Sequence, residues 1–284
     1  MTKFIIRLLL AFILAPLLAL GQTNSYNVLD SHATAIESNR INQTMGGVPG
    51  YTRVALLGHN PNIATAGTAA DVWEGGGNYP LLAAASQLEV VSSSTSDAAA
   101  GTGARTVLIQ GLDANWLPIS ETVTLNGTTP VTTVNSYLRV NLFTTTTSGS
   151  GGQNAGDLTL RVVSAGSTQS IARAGFGFGR QAVYTVADNT SLFCGSFNFT
   201  VLTPNNTIFS AVFGIQQVSG TGNKRIPIEF QVTSNVPYLH LTQFGLNFAA
   251  RTTIILRATS TGQNNTNVTA AAECMLIATG QLRK

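Results

Sequence analysis

An all-β fold is predicted for this chain: two antiparallel β-sandwich domains, of the jelly-roll or Ig-like kind, after a loop-rich N-terminal arm. Three observations predict it. Charged residues make up only 10% of the 284 residues, against about 25% in an ordinary soluble domain. Apolar residues, 44% of the chain, fall in short β-branched runs separated by Gly, Asn, Ser and Thr, with 28 Gly in all. After residue 22 no long stretch carries a helical period, whereas several carry the two-residue alternation of half-buried strands. This balance excludes a coiled coil, a large helical bundle and a disordered chain.

The elements follow in order. Lys3 and Arg7 precede an apolar run from Leu8 to Leu20, and Ala19-Leu20-Gly21 offers small residues two apart. Residues 1–21 therefore read as a signal peptide, or as a membrane anchor making contact through residues 4–20 if they are retained. With no Cys nearby, a lipoprotein anchor is excluded. Residues 22–86 carry turn punctuation (Gly46-Gly47-Val48-Pro49-Gly50, His59-Asn60-Pro61-Asn62, Gly75-Gly76-Gly77-Asn78) and are expected to form the loop-rich arm.

Residues 87–165 are expected to form the first sandwich. Its strands are Leu88–Ser92, Arg105–Gly111, Ile119–Leu125, one or two within Val131–Phe143, and Asp157–Val163. Asp97 to Gly103 reads as a flexible connection, and Asn126-Gly127 as a tight turn that needs positive φ. Residues 166–284 are expected to form the second sandwich, entered through Gly175-Phe176-Gly177-Phe178-Gly179. Its strands are Gln181–Val186, Leu192–Leu202, Ile208–Val218, Arg225–Val232, Thr253–Thr259 and Val268–Ile277. Pro227 and Pro237 belong at a strand start, edge or bulge, because proline cannot donate to a ladder.

Chemistry is thinly supplied. Without Lys3 and Arg7, thirteen basic residues face twelve acidic ones, so no basic patch points to nucleic acid. His32, His59 and His240 lack ligand spacing, and two Cys are too few for a structural zinc site, so neither a metal nor a cofactor is expected. Cys194 and Cys274 pair if the chain is exported; the simpler expectation is two small buried apolar residues. The Gly175–Gly179 run brushes against a nucleotide-binding loop but has no βαβ setting. Asp71 with Glu74, or Asp113 with Glu121, could supply a glycosidase pair, yet spacing alone cannot place two carboxylates across a sugar. Asp113 also fits a turn. Exposed Trp73, Tyr79 or Trp116 could bind sugar, although burial is the default for Trp. No catalytic residue is assigned, and the chain reads as a building or binding module, not an enzyme.

The middle third carries a resemblance. Asp71-Val72-Trp73-Glu74-Gly75-Gly76-Gly77-Asn78-Tyr79-Pro80, Asp97-Ala98-Ala99-Ala100-Gly101-Thr102-Gly103-Ala104-Arg105, Glu121–Thr128, Tyr137–Asn141 and Asn154–Leu160 are its segments. Together they resemble a family of uncharacterised bacteriophage virion structural proteins, chiefly from phages of aquatic bacteria. The resemblance is strong over about residues 63–165 and weaker over 166–279. It implies a capsid, decoration, head-fibre or spike protein located in the virion, with homo-oligomeric and other virion partners. It carries over no catalytic, metal or cofactor residue and no sequence-specific nucleic-acid binding. The export-like start is a departure from that family. It supports an alternative, an exported bacterial surface or adhesion protein; a secreted carbohydrate-binding module is a third reading.

Overall fold

The computed structural model describes residues 51–64, 66–202, 210–233, 238–260 and 265–278; the expected leader, most of the expected arm and Pro237 lie outside them. The chain divides into two compact units, Met1–Arg53 and Val54–Lys284, and the account below concerns the second. The described residues form sixteen strands and no helix. In chain order they are β1 (Tyr51–Ile63), β2 (Ala69–Asp71), β3 (Ser86–Ser92), β4 (Ala104–Leu112), β5 (Pro118–Thr124), β6 (Val131–Tyr137), β7 (Arg139–Ser148) and β8 (Leu158–Val162). There follow β9 (Thr168–Ala172), β10 (Val183–Thr185), β11 (Thr190–Leu202), β12 (Ser210–Val218), β13 (Lys224–Thr233), β14 (Tyr238–Phe248), β15 (Thr253–Ser260) and β16 (Thr266–Ala278).

These strands build four small sheets with antiparallel registers. One has the order β1-β16-β11-β14. In the second, β10 and β2 pair with successive halves of β15, and β12 and β13 follow on its other side. The third runs β6-β3-β8-β9 and the fourth β5-β4-β7. The first two sheets share one apolar core, in which Leu56, Phe197, Phe213, Leu256 and Val268 are buried. The other two share a second core around Leu88, Ile109, Phe143 and Leu160.

Side-chain period decides which residues point inward. Along β16, Val268, Ala270, Ala272 and Cys274 are buried while Glu273 is exposed, so the Ala-rich closing segment is a strand, as its bracketing apolar residues predict. β15 is covered on both faces. Ile254, Leu256 and Ala258 enter the first core, and Ile255 packs under Trp73 and Tyr79, which explains the unbroken run Ile254-Ile255-Leu256. Pro227 lies on β13, the last strand of its sheet, opposite a register shift between Ile215 and Gln217. An edge position beside a bulge is where proline is tolerated.

Several expectations are corrected. The arm is not free of strands, because β1 and β2 lie within it and join the sheets of the later strands. Gly58, Asn60 and Pro61 resemble loop punctuation, but each has a reason to stand in an edge strand. A Cβ on Gly58 would lie 2.2 Å from the Val72 carbonyl oxygen, buried Asn60 donates from Nδ2 to the Asp71 carbonyl, and β1 ends its sheet. β9, which lies beyond residue 165, pairs with β8 at the end of the β6-β3-β8-β9 sheet. Asn126-Gly127 does make the expected tight turn: Gly127, at φ 59°, opens a turn closed by Thr129 N–H on the Asn126 carbonyl, here joining strands of different sheets.

The Gly175–Gly179 run is a close backbone approach and not a phosphate loop. It lies along β7, with Gly179 N–H on the Phe143 carbonyl, and a Cβ on Gly179 would meet Ser170 Oγ at 2.0 Å. Cys194 and Cys274 are not free. They stand opposite each other on β11 and β16 and form a disulfide inside the first core.

Candidate functional site

The acidic residues that could have served as catalysts are already occupied. Glu74, its side chain 1% exposed, accepts from Arg173 Nε at 2.9 Å, lies 2.8 Å from His59 Nδ1 and also pairs with Arg180. Burial alone would raise its pKa, but the hydrogen bonds with His59 and Arg173 outweigh burial and hold the carboxyl below its ordinary value. Asp71 accepts from Tyr79 N–H at 2.6 Å and forms an ion pair with Arg257 at 2.8 Å. For this group burial wins, and its pKa is raised despite Tyr79 and Arg257. The two acids thus serve different cationic partners. Asp113 and Glu121 are no pair either. Asp113 Oδ1 accepts from Asn115 and Leu117 N–H, the turn role expected of it, and Glu121 accepts from Val134 and Asn135 N–H.

Asp97 is fully buried. Its Oδ1 accepts from Ala104 and Ala155 N–H at 2.7 and 2.8 Å, and its Oδ2 from Ser92 Oγ and Gly156 N–H at 2.6 and 2.9 Å. A Cβ on Gly103 would lie 2.1 Å from Oδ1, and one on Gly101 2.0 Å from the Ser96 carbonyl. Asp97–Gly103 is therefore a fixed, carboxylate-centred loop and not the flexible connection its composition suggests.

A cleft of about 720 Å³ opens between the β4–β5 loop and the strands β12, β13 and β15. One side is the β4–β5 loop, whose Asp113 cap places Trp116 at φ 65°, a left-handed conformation unusual for a bulky side chain. The Arg139 guanidinium lies 5.2 Å from the Trp116 ring centre and donates from one nitrogen to the Leu82 and Leu138 carbonyls. Its Nε, buried, has no hydrogen-bond partner, and burial lowers its pKa. The opposite side carries Arg257, fixed by Asp71, Gln216 Oε1 and Asn78 Oδ1. Lys224 stands at the rim, after the Ser219–Asn223 turn. Leu81, Leu138, Val218 and Ile255 supply the apolar lining.

The three aromatics considered for sugar binding separate. Trp73 and Tyr79 are buried at 4% and 6% exposure, form an edge-to-face pair at 5.2 Å and belong to a small core of their own. Tyr79 still forms part of the cleft wall, and Trp116 lines it half-buried. Sequence reasoning missed Arg139, Lys224 and Arg257 as cleft residues, because they come from three segments far apart in the chain. His59 is an ion-network residue, while His32 and the side chain of His240 lie outside the described residues. Among the described residues no group of three or more His, Cys, Asp or Glu is placed to hold a metal.

No protein-family model and no curated protein matches the chain. Among solved structures it is similar to that of the infectious bursal disease virus Gt strain, at 14% identity and a TM-score of 0.23, covering 82% of this chain and 75% of that one. It is also similar to infectious bursal virus-derived T=1 particles, at 14% identity and TM-score 0.24, covering 81% and 70% of the two chains. The VP2 subviral particle of infectious bursal disease virus matches at 12% identity and TM-score 0.23, covering 82% and 73%. At such scores the likeness carries no argument about fold or function.

Proposed function

We propose that the chain is a non-enzymatic structural component of a virion, of the bacteriophage kind its segments resemble: a capsid, decoration or head-fibre/spike subunit assembling through sheet edges and loops. The observation that supports this reading is β14. It is the last strand of its sheet among the described residues, it runs for eleven residues, and it contains no Asp, Glu, Lys or Arg. An edge strand offers unpaired N–H and C=O groups, and soluble monomers guard such edges with charge, proline or brevity. β14 has none of these three guards, although its ladder with β11 shifts register between Leu241 and Leu246; the uncharged stretches on either side of that shift suit a subunit meant to add a neighbouring strand. The occupied carboxylates fit a scaffold rather than a catalyst.

On this reading, residues 1–21 act as a signal peptide or anchor, and the two shared cores are those of two sandwich domains. The first, over residues 87–165, also takes in β9, and the second, over 166–284, also takes in β1 and β2. The partners are further copies of this chain and other virion proteins, arranged with closed symmetry. A second reading, an exported bacterial surface protein, is favoured by the Cys194–Cys274 disulfide, because such bonds persist in oxidising compartments.

Sedimentation of the purified protein tests the assembly reading. Oligomers are expected at high concentration, and Asn247→Lys, which puts a charge on an exposed position of β14, is expected to shift them toward monomer. A wild-type protein that stays monomeric at its highest soluble concentration overturns it.

A further inference from the structure

We propose that the cleft between Trp116 and Arg257 is a binding site for an acidic glycan, that is, for a sugar ring bearing a carboxylate. Its size falls within the roughly 300–1,000 Å³ of ordinary ligand sites. Arg139, Lys224 and Arg257 line it against a single carboxylate, Asp71, so the cleft has excess positive charge in a chain that is nearly neutral elsewhere. Asp71 is already held by Arg257 and the Tyr79 amide and also feels the Lys224 charge, so one carboxylate faces three cations.

The cationic groups of the cleft suit an anion. Lys224 stands exposed on the cleft wall, close enough for its charge to act on Asp71, and Arg139 Nε is buried without an acceptor. A buried donor left unmatched costs free energy, which a turn of the guanidinium toward a ligand oxygen would recover. Cationic side chains recognise a carboxylate by charge-assisted hydrogen bonds. The remaining lining suits a ring with hydroxyls, since Ser219, Thr221 and Asn78 provide polar contacts and Trp116 with Leu81 provides apolar ones. Trp116 also sits in a left-handed backbone conformation that a Gly or Asn would adopt at less cost. Strain of this kind concentrates at ligand clamps. The inference does not depend on the virion reading, because a particle subunit and an exported surface protein can each carry such a site.

Intrinsic fluorescence tests it directly, since the chain has only two Trp and Trp73 is buried away from solvent. The probes are D-galacturonate and N-acetylneuraminate, with D-galactose and acetate as controls. Saturable changes in Trp116 emission are expected with one or both acidic sugars in the millimolar range, about the affinity of −4 kcal/mol that a single small ring reaches. The pair of sugars tells a uronate-bearing glycan from a sialylated one. Lys224→Ala is expected to weaken binding about tenfold with an unchanged melting temperature. Saturation-transfer NMR on Trp116→Phe is expected to retain a weakened contact. Galactose binding as well as the acidic sugars removes the anionic claim, and acetate binding equally well removes the sugar claim. The absence of any saturable response overturns the proposal.

Discussion

Asp97 gives the sharpest test of how this sequence holds its loops. Asp97→Ala would remove the acceptor for two buried backbone N–H groups, those of Ala104 and Gly156, for the part-buried N–H of Ala155, and for the Ser92 hydroxyl. Each orphaned buried donor costs about 1–3 kcal/mol. Water reaching part of the gap keeps the total toward the low end, so a loss of about 4 kcal/mol is expected. For a unit of this size, about 2–4 °C per kcal/mol gives a fall in Tm near 10 °C. Asp97→Asn is the informative companion. Its amide oxygen can keep the Ala104 and Ala155 bonds, while its NH₂ group faces the Gly156 N–H donor, so a loss of about 2 kcal/mol is expected. Urea unfolding and calorimetry of the three proteins measure the series. If Asp97→Ala unfolds within about 1 kcal/mol of wild type, or if the Asn variant is the less stable of the two, the carboxylate-centred account of this loop is refuted.

Other predictions follow from the same reasoning. Gly127→Val is expected to destabilise more than Gly152→Val. Both glycines have positive φ, but a Cβ on Gly127 would also lie 3.1 Å from Thr95 Cα, whereas nothing lies within 4 Å of one on Gly152; equal melting temperatures would contradict this. Reducing the Cys194–Cys274 bond opens a crosslink between residues 80 apart and is expected to cost about 2–4 kcal/mol, seen as a lower urea midpoint with reductant. An unchanged midpoint would show that the pair does not constrain the unfolded chain. Glu74 has its folded pKa below the ordinary glutamate value of 4.5, so its contribution is present above that value and fades as pH falls through the folded pKa. Glu74→Gln should therefore be less stable than wild type at neutral pH and show a shallower acid decline below about pH 4.5. Parallel pH profiles would remove Glu74 as a source of acid lability.

Most of the strands were legible because their burial follows a simple period. β3, β4, β8, β11 and β15 carry β-branched or aromatic runs that can only be buried as strands. Where polar residues fill inward positions, that signal fails. In β9, Gln169 and Ser170 are buried, and Gln169 is held by the Pro80 carbonyl and Tyr79 Oη, partners about 90 positions away. β1 was hidden for a related reason, since Gly58 and Asn60 are chosen by close contacts with Val72, Ala182 and Asp71. The cleft was illegible for a third reason. Trp116, Arg139, Lys224 and Arg257 meet only after the sheets assemble, and nothing in local spacing joins them. The motif segment from Asp97 to Gly103 was legible as a pattern, but its physical role appeared only with the N–H groups that converge on Asp97.

Peptide mass spectrometry across a density gradient of particles from the source culture tests the central claim most directly. The tryptic peptide from Ile226 to Arg251, which contains all of β14, serves as the marker, together with any peptide covering residues 8–21. The account predicts that the marker co-migrates with nucleic-acid-filled particles at high copy number. Recovery of the marker only in envelope or medium fractions, from a chain beginning at Gln22, would contradict the virion reading and support an exported cellular protein.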